Sequence, residues 1–318
     1  MSGPLTIAVP SKGRLKDQTE AWLLDCGFKL KAAGGGRGYR AVLDGLPEAE
    51  VQLLSSSDIA AALESGDLHL GVVGEDLLRE QNALDGRAML LLALGFGRAD
   101  LVVAAPESWI DVATMADVDE VAMAYLHRTG RRMRVATKYP VQTRAFFASR
   151  GVADYRIVDS SGATEGAPAA GTAELIVDIT TTGATLKANG LRPLADGLIL
   201  QSQAQLAASL NAPWTAGGLA AVRRFVRAIE ARARAQGLAA LAWPTEQTKA
   251  AEAALKGFID RGAARRAGGL LVGSGDVFAA AEALAQAGVG PVSATRPDYV
   301  FEAECAAVDR LKAVVKPS

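Results

Sequence analysis

Short apolar runs rich in β-branched residues alternate along this chain with longer segments of helical period. This alternation predicts an α/β fold with mostly parallel sheets covered by helices on both faces. Ligands of such sheets collect beyond the carboxyl ends of the strands, so we expect functional residues directly after the runs. The runs that indicate strands are 5–9, 69–73, 101–104, 134–136, 156–158 and 175–177.

Length and charge narrow the class of protein. The 318 residues are 50% hydrophobic, which provides material for the cores of two or three domains. The 34 Lys and Arg residues and the 35 Asp and Glu residues nearly cancel, and the basic residues are scattered. No concentrated positive field is therefore available for nucleic acid or an anionic membrane. We expect a small-molecule ligand, with no nucleic-acid or membrane partner.

Cysteine usage and the lack of export signals indicate a cytoplasmic protein. Cys26 and Cys305 lie near opposite ends of the chain, which argues against a structural disulfide and suits a reducing compartment. The N-terminus has no basic region of the kind that opens a secretory signal. No stretch approaches the roughly 20 uninterrupted apolar residues of a membrane span.

The segment 171–190 carries the strongest indication of a binding site. Strand periodicity places Glu174 and Asp178 on one face, so both carboxylates are expected near the strand's end, where they can accept hydrogen bonds from sugar hydroxyls. The turn 180–185 then offers several hydroxyl groups and one glycine, and a helix is predicted from about Leu186. Amides at the start of that helix favour a phosphate dianion. Helix capping by the threonines is the alternative interpretation.

Several other phosphate-binding and catalytic motifs are missing. The pattern G-x-x-x-x-G-K-[ST] does not occur, which excludes a Walker-type nucleotide site and favours a sugar phosphate. No G-x-S-x-G elbow is present either. The glycine-rich segment 34–38 does not follow a good strand, so a hairpin or lid loop is predicted there. His69 and His127 lack Cys/His spacing, so we expect no transition-metal site.

Three weaker polar clusters also follow predicted strands. Lys12 and Arg14 flank Gly13 and can bind a polyphosphate or pyrophosphate. The acidic cluster at 74–76 can hydrogen-bond a ribose or hold Mg²⁺, and it can equally well complement a helix dipole. Tyr139 is predicted to be an exposed aromatic that stacks on a base, with a packed tyrosine as the alternative.

Glycines and periodicity indicate how the chain divides. Gly95 and Gly97 bracket an aromatic residue before the next strand, where they can form a hinge or an ordinary loop. An amphipathic helix is predicted near 216–236, with a solvated arginine face. Beyond it, 238–318 is predicted to form strand, helix, strand, helix, a third strand over 291–301, and a closing helix. That pattern indicates a small α+β module.

Five motifs follow one another in the order of a known family. They lie at 7–15, 70–76, 134–140, 162–165 and 178–191. Together they resemble ATP phosphoribosyltransferase, the enzyme that opens histidine biosynthesis. The resemblance runs from about residue 5 to about residue 236, and the last motif is its most specific element.

The resemblance implies the architecture. The family has two doubly wound domains, similar to type II periplasmic binding proteins, joined by two crossovers with the active site between them. The first domain would comprise 1–97 and 194–236, and the second, which binds phosphoribosyl pyrophosphate, 98–193. The family's long form adds a C-terminal regulatory domain, so 238–318 is expected to be a ferredoxin-like (ACT-like) module that senses histidine. A homo-oligomer, dimeric or hexameric, is also implied.

The resemblance further implies which residues contact phosphoribosyl pyrophosphate. Asp178 and Glu174 would hold the ribose hydroxyls and, with Lys12 and Arg14, form the catalytic set. The 5-phosphate would be held by the turn residues Thr181, Thr182, Gly183, Ala184 and Thr185.

The ATP site and the metal follow from the same resemblance. Mg²⁺ is expected as the cofactor, held mainly by the substrate pyrophosphate. Two positions depart from the family pattern: 55–57 lack a basic residue often found there, and Lys138 replaces the more usual serine. The residues expected to contact ATP are Lys12, Gly13, Arg14, Gly74, Glu75, Tyr139 and Glu165.

In the implied reaction, N1 of the adenine attacks the anomeric carbon of the ribose and expels pyrophosphate. Adenine N1 carries its own lone pair, so positioning and charge stabilisation would supply most of the acceleration. Two rival functions stay open at this point. One is a phosphoribosyltransferase acting on another base, and the other is a solute-binding protein of the same two-lobed fold that closes on a ligand without chemistry.

Overall fold

The structure is a computed structural model, and it describes residues 4–32, 40–160 and 162–316. The glycine-rich segment 34–38, predicted to form a hairpin or lid loop, lies outside the described residues. Among the described helices, none is both long enough and apolar enough to cross a membrane.

Sixteen strands lie within the described residues. In chain order they are β1 (Leu5–Pro10), β2 (Lys29–Ala32), β3 (Arg40–Asp44), β4 (Ala49–Leu54), β5 (Leu70–Gly74), β6 (Ala88–Ala93), β7 (Ala99–Pro106), β8 (Met133–Thr137), β9 (Tyr155–Asp159), β10 (Leu175–Thr180), β11 (Leu191–Ser202), β12 (Ala204–Ser209), β13 (Leu238–Ala242), β14 (Ala264–Arg266), β15 (Gly269–Gly273) and β16 (Ser293–Thr295).

Eleven α-helices and three short 3-10 turns connect the strands in the described part of the chain. The 3-10 turns are Thr164–Gly166, Thr245–Gln247 and Ser274–Asp276. The helices are α1 (Gly13–Asp25), α2 (Ser56–Ser65), α3 (Glu75–Glu80), α4 (Met115–Thr129), α5 (Pro140–Ser149), α6 (Ala184–Ala188), α7 (Ala216–Gln236), α8 (Thr248–Ala254), α9 (Lys256–Asp260), α10 (Val277–Gln286) and α11 (Ala306–Val314).

The first lobe is a seven-stranded sheet of order β2-β3-β4-β1-β5-β12-β6. Successive residues of its central strand face opposite sides: Ile7 and Val9 pack in the core beneath α1 and α7, and Ala8 packs in the core beneath α2. The amphipathic helix predicted near 216–236 is α7, which buries eight side chains, Leu219 and Val222 among them. Helices therefore cover both faces, as predicted for a doubly wound sheet.

The second lobe is a five-stranded sheet of order β11-β7-β10-β8-β9. Its strand β10 pairs in parallel with β8 and antiparallel with β7. The α/β fold class with two such lobes is confirmed, but the expectation of mostly parallel sheets is wrong. Parallel pairing is confined to β4-β1-β5 at the centre of the first sheet and to β10-β8-β9 on one side of the second. The chain-crossing strands β7, β11 and β12 and the edge hairpin β2–β3 run antiparallel to their neighbours.

The chain passes twice between the lobes. It leaves the first sheet after β6 through Gly95 and Gly97, which adopt positive φ angles of 76° and 63°, and it returns between β11 and β12. The two crossovers hydrogen-bond each other, from the Leu94 amide to the Ala204 carbonyl at 3.0 Å. The boundary predicted at 193/194 falls inside β11. It was placed too early, because the whole strand through Ser202 pairs with β7 of the second sheet.

The C-terminal sheet has the order β14-β15-β13-β16, and all its pairings are antiparallel. This is the ferredoxin-like β-α-β-β-α-β order. The strand β14 was not predicted, because its three residues are all exposed and carry no apolar alternation. The strand predicted over 291–301 is only Ser293–Thr295, since Pro291 and Pro297 cannot donate to the ladder.

The closing helix α11 does not belong to the C-terminal module, so the predicted extent 238–318 is wrong at its end. Val308 and Leu311 are fully buried in the core of the first lobe. The return begins near Val300, whose amide donates to the Ala231 carbonyl at 2.9 Å. An amphipathic helix that follows a module in sequence carries no signal of which core it covers.

The arginines of α7 hold this returning segment, which corrects their assignment to a solvated face. Arg223 pairs with Asp309 at 2.8 Å, and Arg227 donates to the Glu302 carbonyl at 2.9 Å. Arg232 forms a bidentate pair with Asp25 of α1. Helix α7 thus joins the first lobe to the C-terminal segment.

Candidate active site

A cleft between the two lobes encloses a cavity of about 330 Å³. The carboxyl ends of β1, β5, β8 and β10 lead to its walls, which is where open α/β sheets bind ligands. The residues that line it are Arg14, Leu15, Gln18, Ser56, Ser57, Gly74, Asp76, Leu77, Gly97, Ala99, Lys138, Tyr139 and Ile179.

Asp178 lies in the second half of β10, and its side chain is only 14% exposed. Its Oδ1 accepts a hydrogen bond from the Ile179 amide at 2.8 Å and lies 3.8 Å from the Lys138 Nζ. Burial raises the pKa of Asp178 above its ordinary value, and the nearby Glu165 adds to the rise against the Ile179 amide and Lys138. A partly buried carboxylate with spare acceptor capacity is suited to binding a polar ligand.

The turn after β10 is built from hydroxyl groups, as predicted. The Thr180 Oγ1 accepts from the Gly183 amide at 2.9 Å, and Gly183 has a φ of 74°, which favours glycine. The amides of Thr181, Thr182 and Thr185 have no acceptor within the described residues. The helix α6 begins at Ala184, slightly earlier than predicted, and has only five residues, so free amides of the turn matter more than a helix dipole.

Arg14 connects the first lobe to this turn. Its Nη2 donates to the Thr181 Oγ1 at 3.2 Å across the cleft. Lys12 and Gly13 open α1, Gly13 with a φ of 74°, and the side chain of Lys12 is exposed. The structure therefore brings Arg14 together with the turn predicted from sequence.

Glu174 is not part of the cleft, contrary to the expectation that it joins Asp178 at the strand's end. It directly precedes β10, at the opposite end of the strand. Its carboxylate accepts from the Arg134 amide and the Arg134 Nη2, both at 2.6 Å, and from the Tyr125 hydroxyl at 3.1 Å. The two-residue periodicity of a strand placed both acids on one face, but this periodicity carries no information on which end of the strand reaches the ligand.

The pKa of Glu174 reflects this enclosure. Burial alone would raise it, but the hydrogen bonds and charge of Arg134 outweigh burial, so the pKa of Glu174 lies below its ordinary value. A carboxylate whose lone pairs are already taken has little left for a substrate. Glu174 is a structural residue in this arrangement.

Tyr139 is 1% exposed, so the prediction of an exposed aromatic is wrong and the packed alternative holds. Its hydroxyl donates to the Asp76 Oδ2 at 2.8 Å. Burial and the Asp76 carboxylate raise the pKa of Tyr139, which keeps the hydroxyl protonated as a donor. A ring enclosed in this way cannot stack on a base without first leaving its site.

Asp76 and Glu80 of α3 tie the two lobes together, and sequence reasoning missed both roles. Asp76 is 7% exposed and also accepts from the Ser202 hydroxyl at 2.7 Å, next to the second crossover. Glu80 accepts from the amides of Val141 and Gln142, at 2.7 and 3.1 Å, and so caps α5 of the second lobe. These partners lie more than sixty positions away, so no local pattern signals them.

The three remaining residues predicted to contact ATP are Glu75, Glu165 and Gly74, and they differ in how far other protein groups already engage them. Glu75 pairs with Arg79 at 2.7 Å and accepts from the Gln205 Nε2 at 2.9 Å, so its side chain is engaged within the first lobe. Glu165 lies in a 3-10 turn, half-buried and close enough to Asp178 to influence its charge. The backbone of Gly74 borders the cleft directly.

Comparison with known proteins decides the family. The family model "HisG: ATP phosphoribosyltransferase" matches residues 55–231. An ATP phosphoribosyltransferase of Caulobacter vibrioides is 66% identical over 317 residues, which are 99% of each chain. One from Bradyrhizobium diazoefficiens is 49% identical over 328 aligned positions, covering 99% of this chain and 100% of that protein. This chain belongs to the ATP phosphoribosyltransferase family.

A solved structure supports the fold of this family member. The ATP phosphoribosyl transferase (HisG:HisZ) complex from Thermotoga maritima contains a chain that superimposes with a TM-score of 0.55 at 24% identity. The match covers 71% of this chain and 96% of that one. The resemblance inferred from the motifs is thus confirmed at the level of family and fold.

Residues from both lobes line the cleft of this ATP phosphoribosyltransferase family member. Ser56 and Ser57 border the cavity from the first lobe, and Lys138 borders it from the opposite lobe. Within residues 4–32, 40–160 and 162–316, no group of three His, Cys, Asp or Glu side chains is placed to hold a metal ion.

Proposed function

We propose that this protein transfers the phosphoribosyl group of phosphoribosyl pyrophosphate to N1 of ATP and releases pyrophosphate, the first step of histidine biosynthesis. The observation that carries the assignment of the site is the hydrogen bond from Arg14, which borders the cleft, to Thr181 in the hydroxyl-lined turn. Beside this turn, Asp178 contacts Lys138, which also borders the cleft. Membership in the family supports the reaction itself.

In the proposed site, the turn after β10 holds the 5-phosphate of the ribose. The amides of Thr181, Thr182 and Thr185, which have no acceptor in the part of the chain that the structure describes, supply donors. The backbone at Gly183 and Ala184 allows close approach. Asp178 accepts hydrogen bonds from the ribose hydroxyls. Glu174, engaged by Arg134, has no part in this contact.

ATP is proposed to enter from the first lobe. Lys12, Gly13 and Arg14 at the start of α1 face the phosphates of ATP. The backbone of Gly74, which borders the cleft, lets the nucleotide approach closely. Glu165, on the other wall, contacts the polar edge of the nucleotide. Tyr139 and Glu75 do not touch the nucleotide in this proposal, because Tyr139 is enclosed and Glu75 is engaged within its own lobe.

The chemistry needs little acid–base assistance. Adenine N1 donates its lone pair to the anomeric carbon while the bond to pyrophosphate breaks, and the leaving group departs with the bonding electrons. Positive charge develops on the sugar, where the Asp178 carboxylate stabilises it, and negative charge develops on pyrophosphate, where Arg14 and Lys12 stabilise it. Magnesium, when bound to the pyrophosphate, would neutralise part of that negative charge. The two lobes hold the reactants in register.

Regulation, assembly and location belong to the same proposal. The ferredoxin-like module is the proposed binding site for histidine as a feedback inhibitor, and the active enzyme is proposed to be a homo-oligomer, dimeric or hexameric. A cytoplasmic location is proposed because both substrates are phosphorylated metabolites.

The test is an assay of the full-length protein with ATP, phosphoribosyl pyrophosphate and Mg²⁺. Pyrophosphate release together with the absorbance of an N1-ribosylated adenine is expected, and added histidine is expected to lower both. Pyrophosphate release with another base and none with ATP would favour a different phosphoribosyltransferase. Saturable binding of a ligand with no turnover would favour a solute-binding protein.

A further inference from the structure

We propose that Lys138 is a positioning residue for the transferred ribose, because its ammonium group is the counter-ion that keeps the Asp178 carboxylate charged and directed into the cleft. The inference deepens the proposed function and rests on it for the reaction. The contact between the two side chains can be tested without the reaction.

The sheet register brings the two residues together. Strands β8 and β10 pair in parallel, with Thr137 opposite Val177, so the next residues along each strand, Lys138 and Asp178, lie side by side at the same edge. The Lys138 Nζ is 3.8 Å from the Asp178 Oδ1. The contact is therefore set by the central pairing of the second sheet and does not depend on a surface loop.

Tyr139 holds the ammonium group at this edge. The Lys138 Nζ lies 5.5 Å from the centroid of the Tyr139 ring, within the range of a cation–π contact. The ring itself is fixed by its hydrogen bond to Asp76. The Lys138 side chain is nevertheless 46% exposed, so the ammonium group also reaches the cavity that a substrate would fill.

Within residues 4–32, 40–160 and 162–316, the other groups that face Asp178 supply no positive charge. The 3-10 turn beside it contributes the Thr164 hydroxyl as a donor and the Glu165 carboxylate as a like charge. The antiparallel neighbour β7 places the apolar Val102 opposite it.

Behind Tyr139 stand two further carboxylates, those of Asp76 and Glu80, which add negative charge to the same region. Arg14 is engaged with the Thr181 hydroxyl instead. Among the described residues, Lys138 is thus the cation that acts on Asp178, and it opposes burial and the charge of Glu165.

The charge of Asp178 matters for the proposed chemistry. A carboxylate accepts hydrogen bonds from ribose hydroxyls and stabilises positive charge on the sugar, whereas the protonated acid does neither well. Since burial favours the protonated form, removal of Lys138 extends that form to higher pH. The acid limb of the reaction should therefore move to higher pH.

The first experiment compares Lys138→Met and Lys138→Arg with the wild-type enzyme by the pH profile of kcat/KM for phosphoribosyl pyrophosphate. For Lys138→Met we expect the midpoint of the acid limb to rise by about one pH unit, with roughly tenfold lower activity on that limb and recovery at alkaline pH. Lys138→Arg should keep the wild-type midpoint. Substrate phosphates titrate identically in all samples, so the difference reports on the enzyme. A uniform loss at every pH would overturn the proposal.

The second experiment measures the carboxyl signal of Asp178 directly in the ligand-free full-length protein. Aspartate labelled with ¹³C is titrated by NMR, and the signal is assigned from its absence in Asp178→Asn. Lys138→Met should raise the midpoint of this signal, and Lys249→Met, an exposed lysine of the C-terminal module, should leave it unchanged. An unmoved midpoint overturns the proposal. If Lys138→Met raises the midpoint but the wild-type protein has no transferase activity, the contact between Lys138 and Asp178 is upheld and only the proposed function is rejected.

Discussion

The two ends of strand β10 carry the same chemical group in opposite roles. Glu174 and Asp178 are four positions apart and share a face, so about 13 Å of extended strand separates them. At the amino end, Glu174 is closed in by Arg134 and Tyr125. At the carboxyl end, the Asp178 side chain is 14% exposed, and its ion-pair partner Lys138, 3.8 Å away, borders the cleft.

The comparison teaches that the use of a carboxylate follows from its unsatisfied acceptor capacity. The acceptor sites of Glu174 are occupied by protein donors, and these donors stabilise its charged form, so its pKa is lowered. Asp178 has acceptor sites left for a ligand, and its pKa is raised because burial destabilises its charged form. The first residue should matter for stability and the second for turnover.

The largest expected effect concerns activity. Asp178→Ala should keep its fold and lose at least about 100-fold in kcat, because it removes a contact made to the charged transition state. Glu174→Ala, measured per folded molecule, should stay within about threefold of wild type. Initial rates with saturating substrates, normalised by circular dichroism, provide the measurement. Equal losses for the two variants would erase the distinction between the two ends of the strand.

The next effect concerns stability. Glu174→Ala leaves Arg134 and the Tyr125 hydroxyl without their acceptor, and it should lower the free energy of unfolding by about 2 kcal/mol. Urea unfolding followed by fluorescence gives this difference. A loss below about 0.3 kcal/mol would place the pair among surface ion pairs that contribute little.

The pH dependence of that loss sharpens the assignment. Because the pKa of Glu174 is lowered on folding, its contribution is present above the unfolded value, about 4.3, and is lost as the pH falls through the folded value. The difference in Tm between wild type and Glu174→Ala should therefore be constant near neutral pH and shrink below about pH 4. A difference that persists at pH 2 would mean that packing, not charge, is its origin.

The smallest effect has the opposite sign. The pKa of Asp178 is raised on folding, so its charged form disfavours the folded state at neutral pH, and Asp178→Asn should stabilise the protein by roughly 0.5 kcal/mol. Its former partner Lys138 is 46% exposed and regains water at little cost. Calorimetry at pH 7 and pH 3 measures the change, which should vanish at the lower pH. A destabilised Asp178→Asn would show that Lys138 overcomes burial.

Sequence reasoning could place those candidate site residues whose positions depend on local order along the chain. The turn after β10, Asp178 and the start of α1 follow from strand ends and from ordered motifs, and a hydrogen bond from Arg14 to Thr181 joins the start of α1 to the turn. The enclosure of Tyr139 by Asp76 and the capping of α5 by Glu80 join residues more than sixty positions apart. Such partners are chosen by how the lobes pack, and no periodicity contains that information.

The return of α11 to the first lobe changes what the C-terminal module is. The ferredoxin-like sheet is connected to the first lobe at two points. Helix α7 leads into the sheet, and the segment from Val300 onward leads back from it to the first lobe. A stop codon after Gly237 would strip Val308 and Leu311 from the interior they fill, so shortened chains should precipitate. Excision of the module requires a short splice from α7 to the residues before α11. A rotation of this sheet relative to the first lobe would therefore displace α7 and the segment after Val300 together.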